Sequence, residues 1–199
     1  MRVRLSILLI ITSLLLQFCG EDKSIDKNSE KVIPKEESLS DVIIDEELGI
    51  SYRTPLQWNL MSSELSERYV ARLDSEQFDG NFIVYQPKAF YFNSDISGLL
   101  RIGSITKNLT PVETELSVDS YISRFRKFNP IKDFERKTIQ TDNLVITQLV
   151  IKKSNLISFK NIFMNNQNRI IQFDYSIQEK DYENQKKKIH SSLASIQTL

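Results

Sequence analysis

The chain has 199 residues, enough for one globular domain behind a short leader, and its hydrophobic content of 40% is ordinary for a folded protein. Its 26 basic and 26 acidic residues balance, so it has no broad electrostatic attraction for nucleic acid. A single cysteine excludes an intrachain disulfide, and a single histidine excludes the commonest metal and catalytic-triad constellations.

The N-terminus has the pattern of an export signal. Arg2 and Arg4 precede an uncharged stretch at residues 5–18 that is rich in Leu and Ile. As a helix this stretch would span about 21 Å at ~1.5 Å per residue, less than the ~30 Å hydrocarbon core of a bilayer. Residues 1–18 are therefore predicted to be a signal peptide.

The signal ends at the only cysteine, Cys19, in the sequence Leu16-Gln17-Phe18-Cys19. This resembles the processing site of bacterial lipoproteins, in which the cysteine thiol takes a diacylglycerol and becomes the new N-terminus. Phe18 departs from the small residue usual at that position. The alternative is that Cys19 is only the edge of an ordinary signal peptide or of an uncleaved anchor. The resemblance implies lipidation at Cys19 and a location in the bacterial cell envelope, facing the periplasm or the cell surface.

Residues 19–41 are predicted to form the lipidated cysteine and a disordered tether. Half of the 22 positions from 20 to 41 are charged, none is aromatic, and Pro34 follows the apolar pair Val32-Ile33. Such a segment buries too little apolar area to offset its ordering entropy. The folded domain is predicted to begin at residue 42 and to continue to residue 199.

The first half of the domain has mainly short strand patterns. A strand at 48–52 is stopped by Thr54-Pro55, a second short strand or an extended turn follows at 56–60, and one short helical turn is predicted at 62–65. Further strands are predicted at 69–73, 81–85, 89–93 and 99–106, with a turn at Asp79-Gly80.

The second half predicts two helices around three strands. Ser117 precedes a helical apolar repeat that ends at Asn129-Pro130, and a closing helix is predicted at 181–196. The strands are predicted at 144–151, 156–163 and 169–177, with a hairpin turn at 165–168. The last strand alternates apolar and polar residues, which predicts one covered face and one wetter face of an antiparallel sheet. The pattern predicts an α+β domain.

The domain resembles the PsbP-like family. The opening runs Gly49-Ile50-Ser51-Tyr52-Arg53-Thr54-Pro55-Leu56-Gln57-Trp58, and the last strand and the closing helix with Ser191-Ser192-Leu193 are similar to that family's ending. The resemblance covers about residues 45–197. It implies an α/β/α sandwich around a central, mainly antiparallel sheet. The family includes the extrinsic photosystem II subunit PsbP, a Ran-binding nuclear import factor and bacterial lipoproteins of unassigned role, which are binding and assembly-assisting proteins.

No motif indicates catalysis. His190 has no second histidine or cysteine to share a metal, and its helical neighbours Ser191 and Ser192 would not face it. There is no glycine-rich phosphate loop, and nothing marks Glu46-Glu47 as a carboxylate pair. The sequence predicts a protein that is not an enzyme, with no catalytic residue, metal or cofactor.

Two sequence features could form a binding surface. Phe90, Tyr91 and Phe92 stand in a row on a predicted strand, so at least one would face outward unless both sheet faces are covered. Arg124, Arg126 and Lys127 begin a basic cluster that continues through Lys132, Arg136 and Lys137. The cluster could contact lipid headgroups or an acidic partner, or it could be an ordinary solvated surface beside Asp133 and Glu135.

The leading hypothesis is a membrane-tethered, non-enzymatic lipoprotein that binds a protein partner or assists envelope assembly, and that does not bind nucleic acid. The alternative is a periplasmic carrier of a small apolar ligand, with a pocket lined by aromatics such as Tyr85, Phe90 and Phe92. A third hypothesis is a hydrolase whose site has no recognisable motif. A sizeable apolar pocket would favour a carrier, whereas a flat exposed patch near the basic helix would favour partner binding.

Overall fold

Two β-sheets and three α-helices form the part of the chain that the structure, a computed structural model, describes: residues 29–75, 83–107, 117–128 and 134–199. In chain order the elements are β1 (Ser29–Lys31), β2 (Ile43–Asp45), β3 (Ile50–Tyr52), β4 (Asn59–Leu60), α1 (Ser63–Ser75), β5 (Ile83–Asn93), β6 (Gly98–Lys107), α2 (Val118–Phe128), β7 (Phe134–Gln140), β8 (Val145–Lys153), β9 (Leu156–Met164), β10 (Ile170–Gln178), α3 (Tyr182–Ala194) and β11 (Gln197–Thr198).

The larger sheet has eight strands in the order β1-β7-β8-β9-β10-β6-β5-β4. Neighbouring strands within this sheet are antiparallel, except β1 and β7, which are parallel. The predicted hairpin between β9 and β10 is confirmed. Asn165 Oδ1 accepts hydrogen bonds from the backbone N–H groups of Gln167 and Arg169, and Asn168 takes a φ of 58°. Asparagine tolerates this left-handed conformation better than most residues.

The sheet is covered on both faces. Because alternate side chains of a strand point to opposite faces, Ile171, Phe173 and Tyr175 of β10 pack in the core that includes Ile189 and Leu193 of α3. The smaller sheet, β11-β3-β2, lies on this same face. On the other face, a second core joins Tyr121 and Ile122 of α2 to Ile105, Leu149, Ile162 and Ile170 of the sheet. The predicted α+β class and the α/β/α sandwich with a mainly antiparallel sheet are confirmed.

The prediction that one face of the sheet is wetter is wrong at the centre of that face. Gln172 and Asp174, polar residues of the alternating strand β10, are fully buried. Tyr121 of α2 lies over this region and donates its hydroxyl to Gln172 Oε1 at 2.9 Å. Period-two alternation therefore identified the two faces correctly, but it could not show that α2 packs on the polar one.

The predicted tether does not extend to residue 41. Strand β1 pairs with β7, and the Val32 N–H continues the ladder by donating to Gln140 O at 2.9 Å. Val32 and Leu39 are buried, and Leu39 forms a β-bridge with Pro55. A highly charged segment thus joins the fold through two widely spaced apolar side chains. The predicted leader at 1–18 and Cys19 lie outside the described residues.

The predicted strand at 69–73 is also wrong, because these residues belong to helix α1. The β-branched and aromatic residues Tyr69 and Val70 favour a strand locally. The helix is instead started by Ser62, whose hydroxyl accepts from the Leu65 N–H and whose carbonyl accepts from the Ser66 N–H. Strand β7 was not predicted. The predicted turn at 79–80 and the helix end at 129–130 lie outside the described residues.

Candidate partner-binding groove

An open groove lies between helix α1 and the outer part of strand β5. Its volume is about 610 Å³. Its lining is mainly apolar with a polar rim and comprises Leu60, Met61, Ser63, Ser66, Glu67, Val70, Pro87, Lys88, Ala89 and Phe90. The helix supplies one wall, and the β4 end and β5 supply the other wall and the floor.

Helix α1 is held over the groove by local interactions that its sequence encodes. Glu64 lies in the first turn, where its negative charge suits the helix dipole. Its carboxylate accepts from Arg68 one turn later at 2.7 Å. At the level of the sheet, the Tyr69 ring lies 6.1 Å from the ring of Phe90, which joins the helix to the groove floor.

The groove wall on β5 is shaped by a β-bulge between Pro87 and Ala89. The backbone approaches Gly103 of β6 so closely that an added Cβ would lie 2.0 Å from Gln86 O. Only glycine fits there. Pro87 has no N–H, so it offers no backbone donor at this outer position. The bulge leaves Lys88 exposed, where it pairs with Glu47 at 2.6 Å, and it turns Ala89 toward the core.

Strand β4 covers only the end of β5. Asn59 and Leu60 pair with Phe92 and Tyr91, and the Met61 N–H donates to Phe90 O at 2.8 Å. Leu60 lies beside the groove with 66% of its surface exposed. The end of the groove is therefore marked by an exposed apolar side chain.

The three aromatic residues predicted as a surface have different positions. Phe90 and Tyr91 are buried, the first on the groove floor and the second beneath the small sheet, where its hydroxyl lies 2.9 Å from that of Tyr52. Phe92 is 39% exposed. Of the three, only Phe92 presents substantial surface. Tyr85, which was predicted to line an apolar pocket with Phe90 and Phe92, is not part of the groove lining.

The basic residues predicted as a second surface lie elsewhere on the same face. Arg124, Arg126 and Lys127 belong to α2, which packs on β9, whereas α1 packs on β5. Strands β10 and β6 separate these two places in the sheet. Arg126 and Lys127 are exposed, and Arg124 is half-buried. Of the cluster's continuation, Arg136 pairs with Asp119 at 2.9 Å and Lys137 with Glu135 at 3.2 Å. The structure does not bring the aromatic and basic residues together.

The contacts of His190 and its neighbour Ser192 connect helix α3 to the rest of the domain. His190 is buried on α3, with Nδ1 3.4 Å from a carboxylate oxygen of Glu30. Burial lowers the pKa of His190 below its ordinary value, and Glu30 opposes that effect. The Ser192 hydroxyl lies 2.8 Å from the Tyr175 hydroxyl and donates to Arg53 O at 2.5 Å. These contacts join α3 to the sheet and to the chain after β3.

The described residues contain neither a metal-binding cluster nor a membrane-spanning helix. No group of three His, Cys, Asp or Glu side chains there is arranged to hold a metal ion. No helix within those same ranges has the length and apolar character needed to cross a bilayer.

The similarity of this chain to known proteins is structural. No family model matches the sequence, and no curated protein matches it. The solution structure of cyanobacterial PsbP (CyanoP) from Synechocystis sp. PCC 6803 is similar to this chain, with a TM-score of 0.49 and 14% sequence identity. The similarity covers 81% of this chain and 93% of the cyanobacterial chain.

Proposed function

We propose that this protein is a lipid-anchored, non-enzymatic envelope lipoprotein that binds a protein partner through the groove between α1 and β5. The observation that carries the proposal is the open, mainly apolar groove with the exposed Leu60 at its end. Apolar surface of this kind is typical of interaction sites, because burying it on a partner removes it from water. Its polar rim, which includes Glu67 and Lys88, supplies the hydrogen-bonding groups that interface edges use.

The groove can be tested by photo-crosslinking in the native cells. A photoreactive amino acid at Ser66, which lines the groove, is expected to give a discrete protein adduct. The same amino acid at Asn184, an exposed position on α3, serves as the matched control. Val70→Asp should abolish the Ser66 adduct, because it places a charge in the apolar lining. Equal adducts from both positions, or a Ser66 adduct that survives Val70→Asp, would contradict the proposal.

The proposed anchor rests on Cys19 as the only cysteine, placed at the end of an apolar leader. Cys19→Ala is expected to abolish metabolic labelling with palmitate and to move the protein from the detergent phase to the aqueous phase. Cys19→Ser should behave in the same way. Absence of label in the wild-type protein would rule out lipidation.

A carrier of a small apolar ligand is the second candidate, and the apolar lining of the groove favours it. A carrier would bind N-phenyl-1-naphthylamine with a saturable rise in fluorescence that Val70→Asp removes. The partner-binding proposal expects no saturable rise.

A further inference from the structure

A buried charge cluster lies on the sheet face that α2 covers, and its residue Arg101 is paired in the sheet with Phe90, which lines the groove. Asp174 of β10 stands between Arg101 of β6 and Lys160 of β9 in the strand register. Its Oδ2 accepts a hydrogen bond from Lys160 Nζ at 2.8 Å and another from the Arg101 guanidinium. Asp174 is fully buried, while the side chains of Arg101 and Lys160 keep 17% and 14% of their surface exposed. The two cations thus keep a small part of their surface in contact with solvent.

Four buried polar atoms in and around this cluster have no hydrogen-bond partner among the described residues. They are Asp174 Oδ1, Arg101 Nε, Gln172 Nε2 and the Tyr85 hydroxyl. Buried polar groups are nearly always paired, since an unpaired one loses its hydration without compensation. These four atoms have hydrogen-bonding capacity that the described residues do not use.

The strand geometry directs these atoms toward one region. Gln172 precedes Asp174 by two residues and so lies on the same face of β10, next to Gly103 across the ladder. The Gln172 Oε1 atom accepts from Tyr121, which leaves the amide Nε2 as its unused end. Burial raises the pKa of Tyr85 well above its ordinary value, so its hydroxyl stays protonated. Asp174 and Arg101 also affect this pKa, so the hydroxyl lies within electrostatic range of the ion pair.

Two properties of the cluster favour an anionic ligand. Its charges are two cations and one carboxylate, and Asp174 is ionised because Arg101 and Lys160 outweigh the effect of burial and hold its pKa below the ordinary value. One positive charge is therefore not neutralised inside the cluster. Three of the four unused atoms are donors, namely Arg101 Nε, Gln172 Nε2 and the Tyr85 hydroxyl. Oxyanions accept several hydrogen bonds and supply negative charge.

We propose that this cluster binds the oxyanion of a small molecule, a carboxylate or a phosphate group, with Arg101, Gln172 and Tyr85 as its hydrogen-bond donors. Asp174 holds the two cations in place through Oδ2. Its other oxygen, Oδ1, is available to a hydroxyl or amine on the same ligand. The cluster residues do not line the groove between α1 and β5, so oxyanion binding and partner binding can be tested separately.

The test uses the full chain purified in neutral detergent, with sodium acetate and sodium phosphate as probes. Sodium chloride at matched ionic strength separates specific binding from screening. A ligand that binds only the folded state raises the melting temperature with its concentration. The expected result is a rise beyond that of chloride with at least one probe, and the probe that acts distinguishes a carboxylate site from a phosphate site. No rise beyond chloride with either probe would overturn the proposal.

Tyr85→Phe is the decisive variant, because it removes only a hydroxyl that has no partner among the described residues. It should fold with a melting temperature close to that of the wild type. Its affinity for the probe should be about tenfold lower, the equivalent of one hydrogen bond to a charged group. Tyr69→Phe, on α1, is the matched control and should respond as the wild type does. A Tyr85→Phe protein with an unchanged probe response would show that the cluster is a structural ion-pair network.

Discussion

Trp58 is a buried aromatic residue of the core beneath α3. It is the only tryptophan of the chain, only 4% of its surface is exposed, and its ring packs edge-to-face on Tyr175 with centroids 5.5 Å apart. We expect its fluorescence to be blue-shifted in the folded state and to shift to the red on unfolding. Trp58→Ala should cost about 3–5 kcal/mol of unfolding free energy, the range for large aromatics removed from a core. Urea denaturation of the two proteins measures this loss of unfolding free energy.

Trp58→Phe is the control for this prediction. Trp58 Nε1 has no hydrogen-bond partner among the described residues, so phenylalanine removes ring volume without breaking a polar contact. It should therefore cost clearly less than alanine. A red-shifted, readily quenched Trp58 whose removal leaves stability unchanged would contradict its placement in the core.

His190 should make stability depend on pH. Burial is the main cause of its lowered pKa, and of the charged groups near it Glu30 on β1 opposes the shift while Lys186 on α3 and Lys137 on β7 add to it. The folded state therefore binds a proton less readily than the unfolded state does. Stability from this group is present above the unfolded pKa of about 6.5 and is lost as pH falls below it. His190→Gln, which cannot be protonated, should lose less stability between pH 7.5 and 5.5 than the wild type. Identical pH profiles would contradict this.

Residue roles could be predicted from the sequence where a local pattern determines them. Residues 165–168 were predicted as a hairpin turn, and Asn165 Oδ1 accepts the backbone hydrogen bonds within that turn. Asp174 was assigned to a wet strand face, because nothing in its neighbourhood shows that α2 and two cations from other strands surround it. The groove was missed for the same reason. Its walls come from α1 and β5, and the sequence pattern of α1 favoured a strand.

At the scale of elements, residues 29–41, which precede β2, pack as part of the domain. Leu39 is 5% exposed and forms a bridge with Pro55, so Leu39→Ala should destabilise the protein by about 2–5 kcal/mol. Leu56→Ala is the matched control, since Leu56 is 46% exposed, and it should change stability by less than about 1 kcal/mol. Chemical denaturation of both variants measures the difference. Equal effects would restore the interpretation of residues 29–41 as a tether.

The elements that the sequence predicted well are those with long, regular patterns. Helix α2 and strands β8, β9 and β10 have a clear period. The helix begins where it was predicted, and the three strands lie within one or two residues of their predicted bounds. Strand β1 has three residues, and it pairs with the edge of the sheet at β7. Short elements of this kind depend on partners distant in the chain, so local sequence does not encode them.

At the scale of the whole molecule, the two cores share one sheet. Strand β10 carries Phe173 and Tyr175 into the core beneath α3, and it carries Ile170 into the core beneath α2. Loss of either core therefore removes packing from the same central strand. Trp58 reports only on the first core, and α2 belongs only to the second.

This arrangement predicts a single cooperative unfolding transition. The denaturation curve from Trp58 fluorescence should coincide with the curve from far-ultraviolet circular dichroism, which follows all helices and strands. Hydrogen exchange in α2 gives a third probe, because its amide groups should need global unfolding to exchange if the two cores melt together. Ile122→Ala, in the second core, should accordingly move the Trp58 transition to lower urea although residue 122 belongs to the opposite core. A Trp58 midpoint that does not respond to Ile122→Ala, together with exchange of α2 far below the global free energy, would show that the α2 layer opens independently of the sheet.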